Sequence, residues 1–163
     1  MSGVSGPFAT DTLNLAVNAT ASHAAATGLF GKVNGHEPKS PPSTGRNPDM
    51  TCFVWVQRVR PARTSGMDKT SVVLELNVRL YMPMKQEPQD SIDPTMLGAV
   101  HRLCAAYVGD FTFGGLARAI DVRGIEGTPM TVDAGYAELS GVVYRVMTIV
   151  VPIIVNDVWT ETA

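Results

Sequence analysis

The segment 72–82 alternates more strictly than any other part of the chain, and it limits the folds open to the rest. Val72, Leu74, Leu76, Val78, Leu80 and Met82 fall on one side of an extended backbone, while Glu75, Asn77, Arg79 and Tyr81 fall on the other. Successive strand side chains point to opposite faces, so a period of two over this length predicts a strand with one buried face. The preceding run, 51–59, is rich in β-branched and aromatic residues and reads as its partner strand. Arg60-Pro61 ends that run and the polar segment 62–70 follows. The two strands therefore predict a long hairpin over 51–83 that protrudes from the domain with 62–70 at its tip.

Helical spacing governs two other regions. In 11–29, Leu13, Ala16, Val17, Ala21 and Ala24 recur on one side, Thr10 or Asp11 can cap the start, and Gly28 is a natural stop. In 94–108, Met96, Leu97, Val100, Leu103, Cys104 and Tyr107 form one apolar stripe, with Asp93 as the expected N-cap, Pro94 in the first turn and Gly109 as the close. Short strands are predicted at 117–122 and 134–139, and Ser140-Gly141 can turn the chain into a last strand, 142–155. Pro152 cannot donate to a ladder, which predicts an edge or the end of pairing there. The order helix, two strands, helix, three strands predicts an α+β fold: a mainly antiparallel sheet of about five strands with two helices packed on one face. The chain of 163 residues is expected to form one domain, 1–163.

One stretch resists this scheme. Residues 31–50 hold three glycines and four prolines and offer little apolar surface to bury. A connection of that length without structure of its own is unusual inside a compact domain. It reads as a long contact loop, poorly ordered alone and ordered by partners. Charge is also uneven. Residues 31–69 carry seven Lys/Arg against three Asp/Glu, whereas 86–163 carry four against ten. Such a subunit has one basic and one acidic side, suited to different partners, and is not basic enough for a dedicated nucleic-acid binder.

Catalytic chemistry finds little to work with. His101 and Cys104 are three apart on a predicted helix, but a zinc site needs three or four ligands and no second spaced pair exists. Cys104 also falls on the apolar stripe, and with Cys52 it reads as a buried thiol of a reducing compartment. Asp90 and Asp93 sit in a solvated turn leading into a cap. Gly124-Ile125-Glu126-Gly127 lacks both the P-loop lysine and the dinucleotide fingerprint, and Phe111-Thr112-Phe113-Gly114 fits a strand end better than a stacking platform. The opening residues lack the basic and apolar regions of a secretion signal. The longest apolar run, 142–155, is interrupted by Tyr144, Arg145, Thr148 and Pro152 and is too short to span a bilayer. No enzyme, cofactor, metal or membrane function is expected.

Six segments, read in order, carry a resemblance. "GLFGKVNGHEPKSPP", "FVWVQRVRPARTSGMDKTSVVLELNVRLY", "EPQDSIDP", "GDFTFGG", "AGYAEL" and "VYRVMTIVVPIIVNDVW" together resemble the tail terminator proteins of long-tailed, siphovirus-type bacteriophages, especially those of actinobacteria. The resemblance implies a small α/β protein of the virion tail, assembled in the host cytoplasm. It implies a homo-oligomer, a hexameric ring on the head-proximal end of the tail tube, that stops tube polymerisation and presents the head-joining surface. Its partners would be its own copies, the tail tube protein and a head completion or connector protein. DNA would pass through the lumen without specific binding. The family maps no residue-level site, because contacts in such rings are surfaces rather than motifs; contacts to a neighbouring subunit or the tube are expected of Lys32, His36, Glu37, Lys39, Arg46, Arg58, Arg60, Arg63, Glu87 and Asp90. The alternatives are a head–tail connector or stopper, a tube subunit, or a small-molecule-binding cellular domain, which would need convergent polar groups in an apolar pocket.

Overall fold

The computed structural model describes residues 3–162. The chain is α+β, with two helices and a curled, mixed six-stranded sheet. In chain order the elements are α1 (Thr12–Ala26), β1 (Lys32–Asn34), β2 (Thr51–Pro61), β3 (Lys69–Pro83), α2 (Ile92–Gly109), β4 (Ala119–Ile120), β5 (Thr131–Leu139) and β6 (Val142–Thr160). The strand order is β1-β2-β3-β6-β4, with β5 also paired to β6. Every pairing is antiparallel except β1 with β2, which is parallel over Lys32–Asn34 against Thr51–Phe53. The sheet is thus mixed rather than purely antiparallel, because the stretch 31–50 returns the chain beside itself in the same direction.

The alternating segment becomes the centre of the sheet. β3 pairs with β2 on one side and, from Lys69 to Pro83, with β6 on the other. The β3 arm of the hairpin is therefore flanked by a strand on both sides, so the hairpin does not protrude from the sheet as a free arm. Val72, Leu74, Leu76, Val78, Leu80 and Met82 are buried in one hydrophobic cluster with Cys52 and Val54 of β2 and Ile149, Val151 and Ile153 of β6. Ala16, Val17, Ala21 and Ala24 of α1 and Met96, Ala99, Val100, Leu103 and Tyr107 of α2 belong to the same cluster. Leu97, expected on that stripe, is exposed. Tyr107 donates its hydroxyl to the carbonyl of Thr20, and His23 lies 3.0 Å from Asp110, so α1 is tied to the C-terminal half of α2.

The far face of β3 is not a solvent face either. Glu75 and Tyr81 are both buried. Tyr81 joins Phe53, Tyr144 and Val146 in a second, smaller cluster, where Phe53–Tyr81 and Tyr81–Tyr144 meet edge to face at 5.7 and 5.8 Å. Part of that cluster is roofed by the stretch expected to be a bare loop. Tyr144 donates its hydroxyl to the carbonyl of Pro42 in a buried bond, the His36 ring meets the Phe53 ring, and Pro38 and Pro42 are buried. Asp49 stitches the stretch to itself through Ser43 and Thr44, and Gln86 bonds Asp49 and Asn47.

Terminal details follow from local chemistry. Asp11 stands at the α1 N-cap without a side-chain capping bond, and Gly28 takes a left-handed φ of 69°, which glycine adopts without steric cost. α2 begins at Ile92 with Ser91 at its N-cap, so Asp93 is inside the first turn, where Arg145 engages its carboxylate at 2.9 Å. Pro94 is tolerated because first-turn N–H groups have no helical partner. Ser140 and Gly141, both at positive φ, close the β5–β6 hairpin. Pro152 lies well inside β6 rather than at its end. Its carbonyl accepts from Asp121 on the side where β6 changes partner from β5, ending at Val150, to β4, starting at Ile153. The missing donor falls in that gap.

Candidate functional site

An open cleft of about 820 Å³ lies between the start of α1 and the outer end of β2. Leu13 and Val17 form one wall, Trp55, Val56 and Val59 the other, and Val158 and Trp159 of β6 close one end. It exists because the sheet is longer than its cover. β1 pairs with β2 only as far as Phe53, so from Val54 onward β2 has no strand on its outer side among the described residues. Val56 and Val59 are 51% and 39% exposed, and Trp159 is 47% exposed.

The residues assigned to contacts fall into three groups. Arg58, Arg60 and Arg63 come together at the outer end of the β2–β3 hairpin. Arg58 and Arg60 share one carboxylate oxygen of the buried Glu75, with Nε atoms 3.4 and 3.8 Å away. Nη2 of Arg60 is buried and has no hydrogen-bond partner among the described residues. Nη2 atoms of Arg60 and Arg63 both approach the position a Cβ would take on Gly127, at 3.6 and 3.7 Å. Lys32, His36, Glu37, Lys39 and Arg46 are exposed along the roofing stretch, of which His36 and Glu37 line the cleft. Arg46 turns back, donating to the carbonyl of Phe30. Glu87 and Asp90 are exposed on the opposite connection, and Asp90 borders a small hollow with Asp93, Tyr136 and Arg145.

The hairpin tip is braced rather than loose. Glu126, buried, accepts from the backbone N–H of Arg63 and the hydroxyl of Thr64, both at 2.7 Å. Burial works against its charge, but those bonds and the nearby Arg118 outweigh it and hold the carboxyl below the usual glutamate range. Arg118 also donates to Thr64, Ser71 and Asn156, and Asp121 accepts from the N–H groups of Ile125 and Glu126.

Groups suited to covalent or metal chemistry do not converge. Burial raises the Cys52 thiol far above its ordinary range and raises Cys104 as well, which disfavours the nucleophilic thiolate. His101 is exposed while Cys104 faces inward in part, and among the described residues no group of three or more His, Cys, Asp or Glu could hold a metal ion. Among the same residues, no helix is long and apolar enough to cross a membrane.

Sequence reasoning named the arginines but missed the apolar side of the same region. In the sequence Val56 and Val59 are ordinary strand residues, and nothing singles out β5, whose Val132 and Tyr136 are 40% and 66% exposed. The only available signal was the weak apolar alternation of β5 on a strand with acidic neighbours. Compared with known protein families and with curated proteins, the chain matches none.

Proposed function

We propose that this chain is a tail terminator of a long-tailed bacteriophage. It forms a six-membered ring that caps the head-proximal end of the tail tube, halts tube growth and offers the surface to which the head joins. The observation that carries this reading is the ordered series of six segments spread along the sequence, from "GLFGKVNGHEPKSPP" to "VYRVMTIVVPIIVNDVW". In this reading the two helices make one layer over a single sheet face, and the strand edges stay open to neighbouring copies. The protein acts through surfaces alone, with no catalysis and no cofactor. It assembles in the host cytoplasm and remains in the virion, with DNA passing through the ring.

The distribution of exposed apolar side chains supports an assembly role. Among them, Val56, Val59 and Trp159 lie beside β2, and Val132, Tyr136 and Val143 lie on the β5–β6 hairpin, two unlike surfaces. A closed ring of identical subunits needs head-to-tail contacts between two different surfaces, whereas a twofold dimer uses one surface twice. Electron microscopy of phage particles made without this protein tests the reading. Abnormally long tails are expected. Normal tails detached from heads would instead identify a connector, and absence of tails a tube subunit.

A further inference from the structure

The sheet ends in two edges that are free for different reasons. On one side, β1 stops at Phe53's partner and leaves the outer edge of β2 without a strand. On the other, β5 pairs only with β6. β2, β3, β6 and β5 are antiparallel in succession, so β2 and β5 run in opposite directions. A second copy in the same orientation therefore brings its β5 antiparallel to the free edge of β2. Unpaired strand edges are templates for such addition.

The side chains on the two edges match in one register. The ladder places Val56 and Val59 on the helix side of the sheet, opposite Leu76 and Leu74, and Arg58 and Arg60 on the other side. Following the pairings across β6, Val132 and Ala134 share the helix side, and Asp133 and Gly135 share the arginine side. With Asp133 opposite Arg58, Val132 stands against Val59. Beyond the irregularity between Val56 and Arg58, Ala134 stands against Val56 and Gly135 against Trp55. Nothing lies within 4 Å of where a Cβ would sit on Gly135, so the half-buried indole of Trp55 meets open space. Two arginines sharing the single carboxylate of Glu75 leave one positive charge without a counterpart at this edge, and Asp133 supplies it.

Geometry agrees with closure. In this register the β5 residue Asp133, level with Thr148 of β6, meets the β2 residue Arg58, level with Pro152. That offset is about 13 Å along the strands over four strand spacings of about 4.8 Å. It corresponds to a tilt of roughly 35°, at the low end of the 35–45° that closed sheets require.

We infer that β5 of each copy adds to the free edge of β2 of the next, with Asp133 set against Arg58 and Arg60 and with Val132 and Ala134 set against Val59 and Val56. The pairing takes its closed-ring form from the tail-terminator reading. Arginines on an otherwise open edge also select for a partner carrying an acid there and against indiscriminate strand addition.

The test uses the full chain with Cys104→Ala, which removes the half-buried thiol, carrying Val56→Cys and Ala134→Cys together. Residues opposed across an antiparallel pair have Cα atoms about 4.5–5.5 Å apart, within disulfide range. Oxidation in the presence of purified tail tube protein should give a ladder of linked subunits on a non-reducing gel. Either single cysteine, or Val56→Cys with the displaced Glu138→Cys, should give none. In parallel, Arg58→Glu or Asp133→Lys alone should raise the concentration for half-assembly at least tenfold, and the two together should restore most of it. No ladder from the matched pair, or a ladder equal in the displaced pair, overturns the edge pairing. So does a charge reversal without effect in variants whose circular dichroism matches the parent. The tail-length experiment judges the terminator reading separately: long tails without a ladder would sink only the edge pairing, and a ladder with normal tails only the terminator.

Discussion

Val54 and Val56 are the same residue type, two positions apart on the same side of the same strand, yet Val54 is fully buried and Val56 is half exposed. The first four residues of β2 are all buried, while Val56 to Val59 are all exposed. Residue type does not separate the two valines. What separates them is coverage. The first half has β1 alongside and the stretch 35–48 over its far face, whereas the second half has an open cleft on one side and no strand at its edge. Burial along this strand is decided by neighbours, and where a subunit supplies none, a second subunit can.

The largest expected effect comes from making the first half resemble the second. Replacing residues 35–48 with a short Gly/Ser linker should uncover Phe53 and Tyr144, at about 1.5–3 kcal/mol for each side chain returned to water. Urea unfolding measures this directly. An unchanged midpoint would show that the stretch is a bystander and that something else keeps the aromatic cluster dry.

A finer cut removes one bond of the same roof. Tyr144→Phe deletes the hydroxyl that Pro42 accepts and leaves the ring, and should cost about 1 kcal/mol. Equal stability of the two proteins would mean that the stretch is held by its own Asp49 bonds instead.

The exposed half has its own anchor, and it is pH-dependent. Glu126 is held below its ordinary value of 4.5 in the fold. The stability it contributes is therefore present above that value and is lost as pH falls through the lower, folded one. The protection of the Arg63 and Ser71 amides against hydrogen exchange, relative to the intrinsic exchange rate at each pH, should fall as the pH drops through that window. Glu126→Gln should flatten the dependence, and an unchanged profile would show that the carboxylate does not hold the hairpin tip.

The smallest effect on the isolated chain should come from Val59→Ser, within about 0.5 kcal/mol, because the side chain is already in contact with water. The same substitution should weaken assembly, and that contrast sharpens the difference between the two halves. A large loss of monomer stability would mean that the cleft is closed in solution.

The strands and helices that obey a period were legible in the sequence. Val72 to Met82 announced the central strand, and the spacing of Ala16, Val17, Ala21 and Ala24 announced the first helix. What had no period was invisible. β1 is three residues long, too short to alternate, and its pairing depends on a connection that folds back over Phe53. Glu75 sat in a polar position of the alternation and read as solvated, although two arginines on β2 and the neighbouring strands bury it. Arg58, Arg60 and Arg63 were singled out by charge. Asp133 and Gly135 were not, since nothing in their own neighbourhood says that they lie on an edge.

β6 is the longest element, with 19 residues, and all its strand partners, β3, β4 and β5, precede it in the chain. Until it is made, β3 has one bare flank and β5 has no strand to hold it. Contacts between β3 and β6 span wide sequence separations, the kind of pairing that forms late and slowly. The two edges therefore become available at different times, the β2 edge once β3 pairs with it and the β5 edge only after β6 is made. Under the proposed edge pairing, a chain cut short before β6 carries the β2 edge without the β5 edge, so it would end a growing series of copies rather than extend it.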